Sequence, residues 1–257
     1  VTDAGRALAF VAACAERRAD RVVPHDAGAL VLTPTLPLVY DANFLRIDRW
    51  EGTAEALLSE AERVLGEAGC DHRRVAVTDA SLGERVRPVF ASTWPVAHRF
   101  LVMAHRRPPD RPPPAGVTVV EPPPEPLERA RAAETRLQPW GRDERVVHQL
   151  LELDRRQARI VPTRSLGVTD GADVVSYASL YVEDGVAEID DVATHVEHRG
   201  RGYARAIVLR CVEEARKAGA RLVFLLADDD DWPKELYARL GFDVVGVEHV
   251  FVRPHDA

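Results

Sequence analysis

The stretch His198-Arg-Gly-Arg-Gly-Tyr-Ala-Arg205 lies between a strand-like run and an amphipathic helical pattern. The first turn of a helix presents N–H groups without intrahelical partners, at the positive end of its dipole. Gly200 and Gly202 remove the Cβ atoms that would hold a phosphate away from those amides. Ala204 keeps the approach side small, and Arg199, Arg201 and Arg205 add cationic donors. With Tyr203 opening the helix, residues 200–205 make a candidate diphosphate cradle. The alternative is an ordinary glycine-rich turn whose arginines face water. A Walker A loop needs Lys followed by Ser or Thr, which no position supplies, and the Rossmann fingerprint needs glycine at 205, which is Arg. The nearby His195-Val-Glu-His198 could be paired with Glu188 or Asp190 as metal ligands. It lacks the helical spacing of H-E-x-x-H zinc sites, so no metal is expected.

These groups need a strand before them and a helix behind them. Over 203–217 the apolar residues Ala204, Ile207, Val208, Cys211, Val212 and Ala215 recur at helical spacing, and Gly219 supplies a stop. Cys211 on that stripe reads as a core residue rather than a nucleophile. Upstream, strand-like runs at 164–168, 173–182 and 186–196 are separated by Asp-Gly turns at 170–171 and 184–185. Strand side chains alternate, so Glu188 and Asp190 are expected on one face and Asp191 on the other. Two carboxylates on one face could accept a proton and attract a cation, and their repulsion would raise one pKa. Helical patterns cover 127–137 and 144–156. The apolar run at 221–227 suits a strand buried on both faces, and a short helix (233–240) and a strand (244–252) follow.

Nine of the 18 prolines fall between Pro108 and Pro126. Proline fixes φ and removes a donor, so 108–126 is expected to be an extended linker or a ligand for a proline-reading module. The run 116–120 inside it is expected to be the first strand of the second domain. Two domains result, 1–107 and 115–257. The first repeats the order of the second: a helical pattern over 55–68 ending at Gly69, then a strand, a short helix and a strand. Overlaying the copies puts Phe90 at the place of Tyr237.

A net charge of −7 argues against a generally cationic nucleic-acid binder. No apolar run approaches the roughly 18–20 residues of a membrane span, and the Ala-rich run at 7–15 lacks the basic flank of a signal peptide. Three cysteines without close pairing point to a reducing, cytoplasmic setting.

The pattern R-G-x-G-x-A at Arg199–Ala204, followed by Leu236-Tyr-Ala-Arg-Leu-Gly-Phe242, resembles the two signatures of the Gcn5-related N-acetyltransferase (GNAT) superfamily. The resemblance covers roughly 115–257. It implies an α/β (α+β) GNAT fold: a central mixed, mostly antiparallel, twisted sheet flanked by helices, here preceded by a degenerate GNAT-like N-terminal domain. It also implies transfer of an acetyl group from acetyl-CoA to a primary amine by direct attack in a ternary complex. By the same resemblance, the backbone of Val192, Ala193 and Thr194 holds the pantetheine arm and residues 199–205 hold the phosphates. Tyr237 protonates the departing thiolate, and Glu188 sits at the family's general-base spacing; Asp190 stays open as an alternative base. The implied acceptor is a small-molecule or peptide amine, with no nucleic acid, membrane or metal, and a monomer or homodimer. One intact copy after a degenerate one also resembles mycothiol synthase. A non-catalytic acyl-CoA-sensing module is the remaining alternative.

Overall fold

Thr2, Thr53 and Asp79 each accept a hydrogen bond from the amide three residues on, and each stands just before a helix. These helices are α1 (Asp3–Arg18), α2 (Ala54–Glu67) and α3 (Ala80–Thr93). Around them run β1 (Arg21–His25), β2 (Gly28–Leu32), β3 (Phe44–Ile47), β4 (Arg73–Val77) and β5 (Val96–His105). In the second half, α4 (Pro124–Arg136) begins on proline, where a missing N–H costs nothing, and Asp143 caps α5 (Glu144–Ile160). There follow β6 (Thr163–Asp170), β7 (Asp173–Glu183), β8 (Val186–Thr194), α6 (Tyr203–Lys217), β9 (Leu222–Asp228), α7 (Pro233–Arg239) and β10 (Phe242–Arg253).

The computed structural model describes residues 2–255, which fall into two units. One contains Thr2–Val102, Ala227–Trp232 and the chain from Val245 onward; the other contains Met103–Leu226 and Pro233–Val244. In the first unit β1–β2 and β2–β3 pair antiparallel, β3–β4 parallel, and β4 takes the second half of β10 antiparallel, His249 opposite Val77 through Arg253 opposite Arg73. Its core joins Leu45, Ile47, Leu57, Leu65, Phe90 and Phe251. In the second unit β6–β7 and β7–β8 pair antiparallel and β8–β9 parallel. Ile207, Val208, Cys211 and Ala215 of α6 are fully buried. Each fully buried large aliphatic side chain contributes about 1.5–3 kcal/mol, enough to pin this helix.

Both units therefore run antiparallel, antiparallel, parallel, with a helix crossing between the parallel strands. The expected mixed, mostly antiparallel α/β fold and its internal duplication are present. One local expectation fails: residues 116–120 form no strand. Val120 alone exchanges backbone bonds with Gly167, 2.8 Å each way. Prolines at 112–114 and 122–124 lack the donors that would extend the ladder.

Candidate functional site

The glycine-rich loop runs directly into the first turn of α6. Gly200 and Gly202 adopt φ of 76° and 80°, left-handed conformations that side chains with a Cβ rarely adopt. Gly202 is also the N-cap of α6 and offers no side chain to its amides. The first bond inside the helix runs from Ala206 N–H to the Gly202 carbonyl, 3.1 Å, leaving the amides of Tyr203, Ala204 and Arg205 ahead of the ladder. The three arginines are anchored. Arg199 donates to the Thr194 carbonyl at 2.9 Å, Arg201 to the Glu197 carbonyl at 3.3 Å, and Arg205 to Asp110 at 3.2 Å. Pro114 of the proline-rich segment lies so close that a Cβ on Gly202 would stand 3.0 Å from its Cγ.

Leading into this loop, β8 parts from β9. Their parallel pairing runs from Val186 opposite Leu222 to Glu188 opposite Phe224, whereas β8 continues to Thr194 and β9 to Asp228. The freed length, residues 189–194, is an edge of roughly 20 Å at strand rise and holds Val192, Ala193 and Thr194. Main-chain groups on an opened edge can bond an amide-bearing ligand as an added strand would. On its other side this stretch stays tied to β7: Tyr177 pairs with Ala193, and the Ser176 hydroxyl donates to the Ala193 carbonyl at 2.8 Å.

The carboxylates occupy two cross-strand rows. Thr163, Tyr181 and Glu188 lie opposite one another, as do Ser165, Ser179 and Asp190, and directly opposed residues share a sheet face. Glu188 and Asp190 therefore face the same way, Glu188 only 7% exposed. Thr163 and Ser165 also line a cleft of about 340 Å³ between α4, α5 and β6, with Leu127, Arg131, Leu151 and Asp154 among its walls. The expectation that Asp191 faces away is corrected. A register shift in β8 breaks the alternation, and Asp191, at φ 53°, turns its carboxylate to Arg131 of α4, 2.9 Å away. Packing on most sides desolvates that carboxyl and pushes it up to about 8; Arg131 pulls the other way, and Asp154 and Asp190 add repulsion. Its side chain keeps an open face, 36% exposed.

Tyr237 lies on α7, 7% exposed, edge-on to the Phe242 ring at 6.2 Å between centroids. Every residue so far assigned to the site belongs to one unit. Among the described residues no group of three His, Cys, Asp or Glu side chains is placed to hold a metal ion, and no helix is long and apolar enough to cross a membrane. Cys211 is fully buried, its thiol pushed up to about 12 by desolvation.

Arg131, Asp154, Asp110 and Pro114 were not legible as site residues. The first had a signal: Leu127, Ala130, Arg131 and Glu134 fall on one helical stripe, so Arg131 is a cation on the buried face of α4. Among the described residues, the first unit differs at the equivalent places. Thr53 caps α2 with its own hydroxyl, 3.2 Å from Ala56 N, consuming an amide at the place of the glycine loop. The parallel pair of β3 and β4 stays closed to its end, Ile47 opposite Val77, with Thr78 N–H still bonded to the Ile47 carbonyl.

Residues 127–242 match the family model described as Acetyltransferase (GNAT) family. Among solved structures, a functionally unknown conserved protein from Staphylococcus epidermidis is 16% identical with a TM-score of 0.68, over 92% of this chain and 94% of its own. A GCN5-related N-acetyltransferase from Kribbella flavida is 17% identical with a TM-score of 0.63, over 97% and 95%. A tandem GNAT protein from the clavulanic acid biosynthesis pathway is 18% identical with a TM-score of 0.52, over 91% and 83%. Such identities establish a shared fold. No curated protein matches the chain.

Proposed function

We propose, on the match of residues 127–242 to the Acetyltransferase (GNAT) family model, that the protein moves an acetyl group from acetyl-CoA to a primary amine. The observation that carries this reading is the opened edge of β8 running directly into an uncapped, glycine-lined helix start. An extended amide-bearing arm ending in a diphosphate has the shape and polarity that such an edge and cradle accommodate.

When bound, acetyl-CoA supplies an acyl thioester. The residues of this chain do the rest. Amides at 203–205 and the flanking arginines bind the phosphates, and the backbone of Val192, Ala193 and Thr194 bonds the arm. The acceptor enters by the cleft beside Arg131 and Asp154. Glu188 or Asp190, on rows continuous with that cleft, takes a proton from the ammonium directly or through water. The amine nitrogen then bonds the acyl carbon, the carbon–sulfur bond breaks and Tyr237 gives the departing thiolate its proton; the second proton, shed by the nitrogen as the amide forms, returns to the Tyr237 oxygen directly or through water. A phenol of ordinary pKa, ~10, lies close enough to a thiol for that transfer.

The test is thiol release from acetyl-CoA across a panel of small and peptide amines, with wild type beside Tyr237→Phe. The proposal expects turnover on at least one amine, and a loss on the order of 10²-fold in Tyr237→Phe with CoA affinity unchanged. Cofactor binding without turnover on any amine would instead favour a non-catalytic acyl-CoA-sensing module.

A further inference from the structure

β8 changes register against β7 within two residues. Ser179 stands opposite Asp190 and Tyr177 opposite Ala193, so Asp191 and Val192 crowd into the one place opposite Ala178. The surplus residue is absorbed by Asp191 in a left-handed conformation, φ 53°, which aspartate and asparagine visit more readily than other residues carrying a Cβ but less readily than extended backbone. The irregularity begins just past Glu188, the last residue of β8 paired with β9.

One guanidinium spans it. Arg131 of α4 has a side chain only 13% exposed. Its Nε lies 2.9 Å from the Asp191 carboxylate and its Nη2 donates to the Ser179 hydroxyl at 2.6 Å. The same group sits 5.8 Å over the centre of the Tyr177 ring and 3.7 Å from Asp154 of α5. Arg131 thus grips the bulged residue and the β7 residues on both sides of the shift, with the Asp154 carboxylate of α5 beside the same guanidinium.

We propose that Arg131 is a positioning residue: it holds Asp191 in the bulge and thereby keeps β8 parted from β9 along the edge that receives the pantetheine arm. This inference rests on the cofactor reading above. Without the clamp, Asp191 relaxes toward extended backbone. A one-residue slip of the strand beyond it then turns the ligand-facing groups of 192–194 to the opposite side.

Two probes separate this from general damage. CoA carries the arm; adenosine 3′,5′-bisphosphate carries the nucleotide end alone and needs only the loop. Calorimetric titration of both is made into the full chain as wild type, Arg131→Met, and Arg131→Met combined with Asp191→Gly. The expected result is a loss of about tenfold or more in CoA affinity for Arg131→Met, with the bisphosphate nearly unaffected. Glycine adopts a positive φ without strain, so the double variant is expected to regain CoA affinity to within about threefold of wild type. Unchanged CoA binding in Arg131→Met, an equal loss for both probes, or no recovery in the double variant would overturn the inference while leaving the cofactor reading intact. A wild-type protein that bound neither probe would overturn the cofactor reading and this inference with it.

Discussion

Two carboxyl groups in this chain hold protons far above the usual carboxylate range. Asp191 is pushed up to about 8, mainly by desolvation, and Glu248 up to about 7 by burial, with Arg74 pulling it back down. In both cases the folded form keeps a proton that the unfolded chain releases near pH 4 to 4.5. At these two groups the folded state therefore binds more protons between those values and the raised ones, a contribution to stability that falls as pH rises, whereas His72, His105 and His249, held below the ordinary imidazole value chiefly by desolvation, act in the opposite sense below about pH 6.5. A melting series is expected to show the Tm declining across pH ~7 to ~8, above the histidine range. Asp191→Asn should flatten that decline, because asparagine tolerates the left-handed backbone and carries no titrating proton. A Tm that rose over the same window would contradict the assignment. A single hydroxyl also distinguishes the halves, for Tyr237 on α7 carries one where the overlay puts the fully buried Phe90 of α3.

At the level of elements, the two crossing helices begin differently. α2 is capped by Thr53, a bond that typically stabilises by ~1 kcal/mol, whereas α6 begins on Gly202 with its first amides unspent. Stability given up at one helix start is where an anion can bind. That start is already approached by the proline-rich segment. Asp110 donates its N–H to the Arg239 carbonyl at 2.8 Å and places its carboxylate 3.2 Å from Arg205, with Pro114 against Gly202. On the proposed reading, an incoming phosphate would compete with Asp110 for that guanidinium. Asp110→Ala keeps the amide bond to Arg239, so it is expected to tighten CoA binding by roughly two- to fivefold at low salt, the gain shrinking as salt is added. Weaker binding in that variant, measured by the same titration, would mean that Asp110 helps to build the site instead.

Across the whole molecule, what could be read in advance depended on the range of the forces involved. The loop, α6 and the run of β9 were legible because glycine positions, helical periodicity and an unbroken apolar stretch are local properties of residues 198–227. The duplication was legible for the same reason, through Glu55–Ala68 and its stop at Gly69. β1 was obscured by Pro24, which is nevertheless held opposite Ala29. The facing of Asp191 was misjudged because alternation assumes an unbroken register, and the break is held by Arg131, 60 residues away in sequence. The partner of the last strand was likewise hidden, since pairing Phe251 with Val75 is a choice made by packing at long range. The central claim, that amides at 200–205 and the freed edge of β8 together grip one ligand, is most directly tested by a crystal structure of the full chain with CoA. The account predicts the diphosphate within hydrogen-bond reach of those amides, the pantetheine arm bonded to the backbone of 192–194, and the sulfur beside Tyr237. A CoA molecule lodged elsewhere, or an arm that leaves β8 untouched, would contradict it.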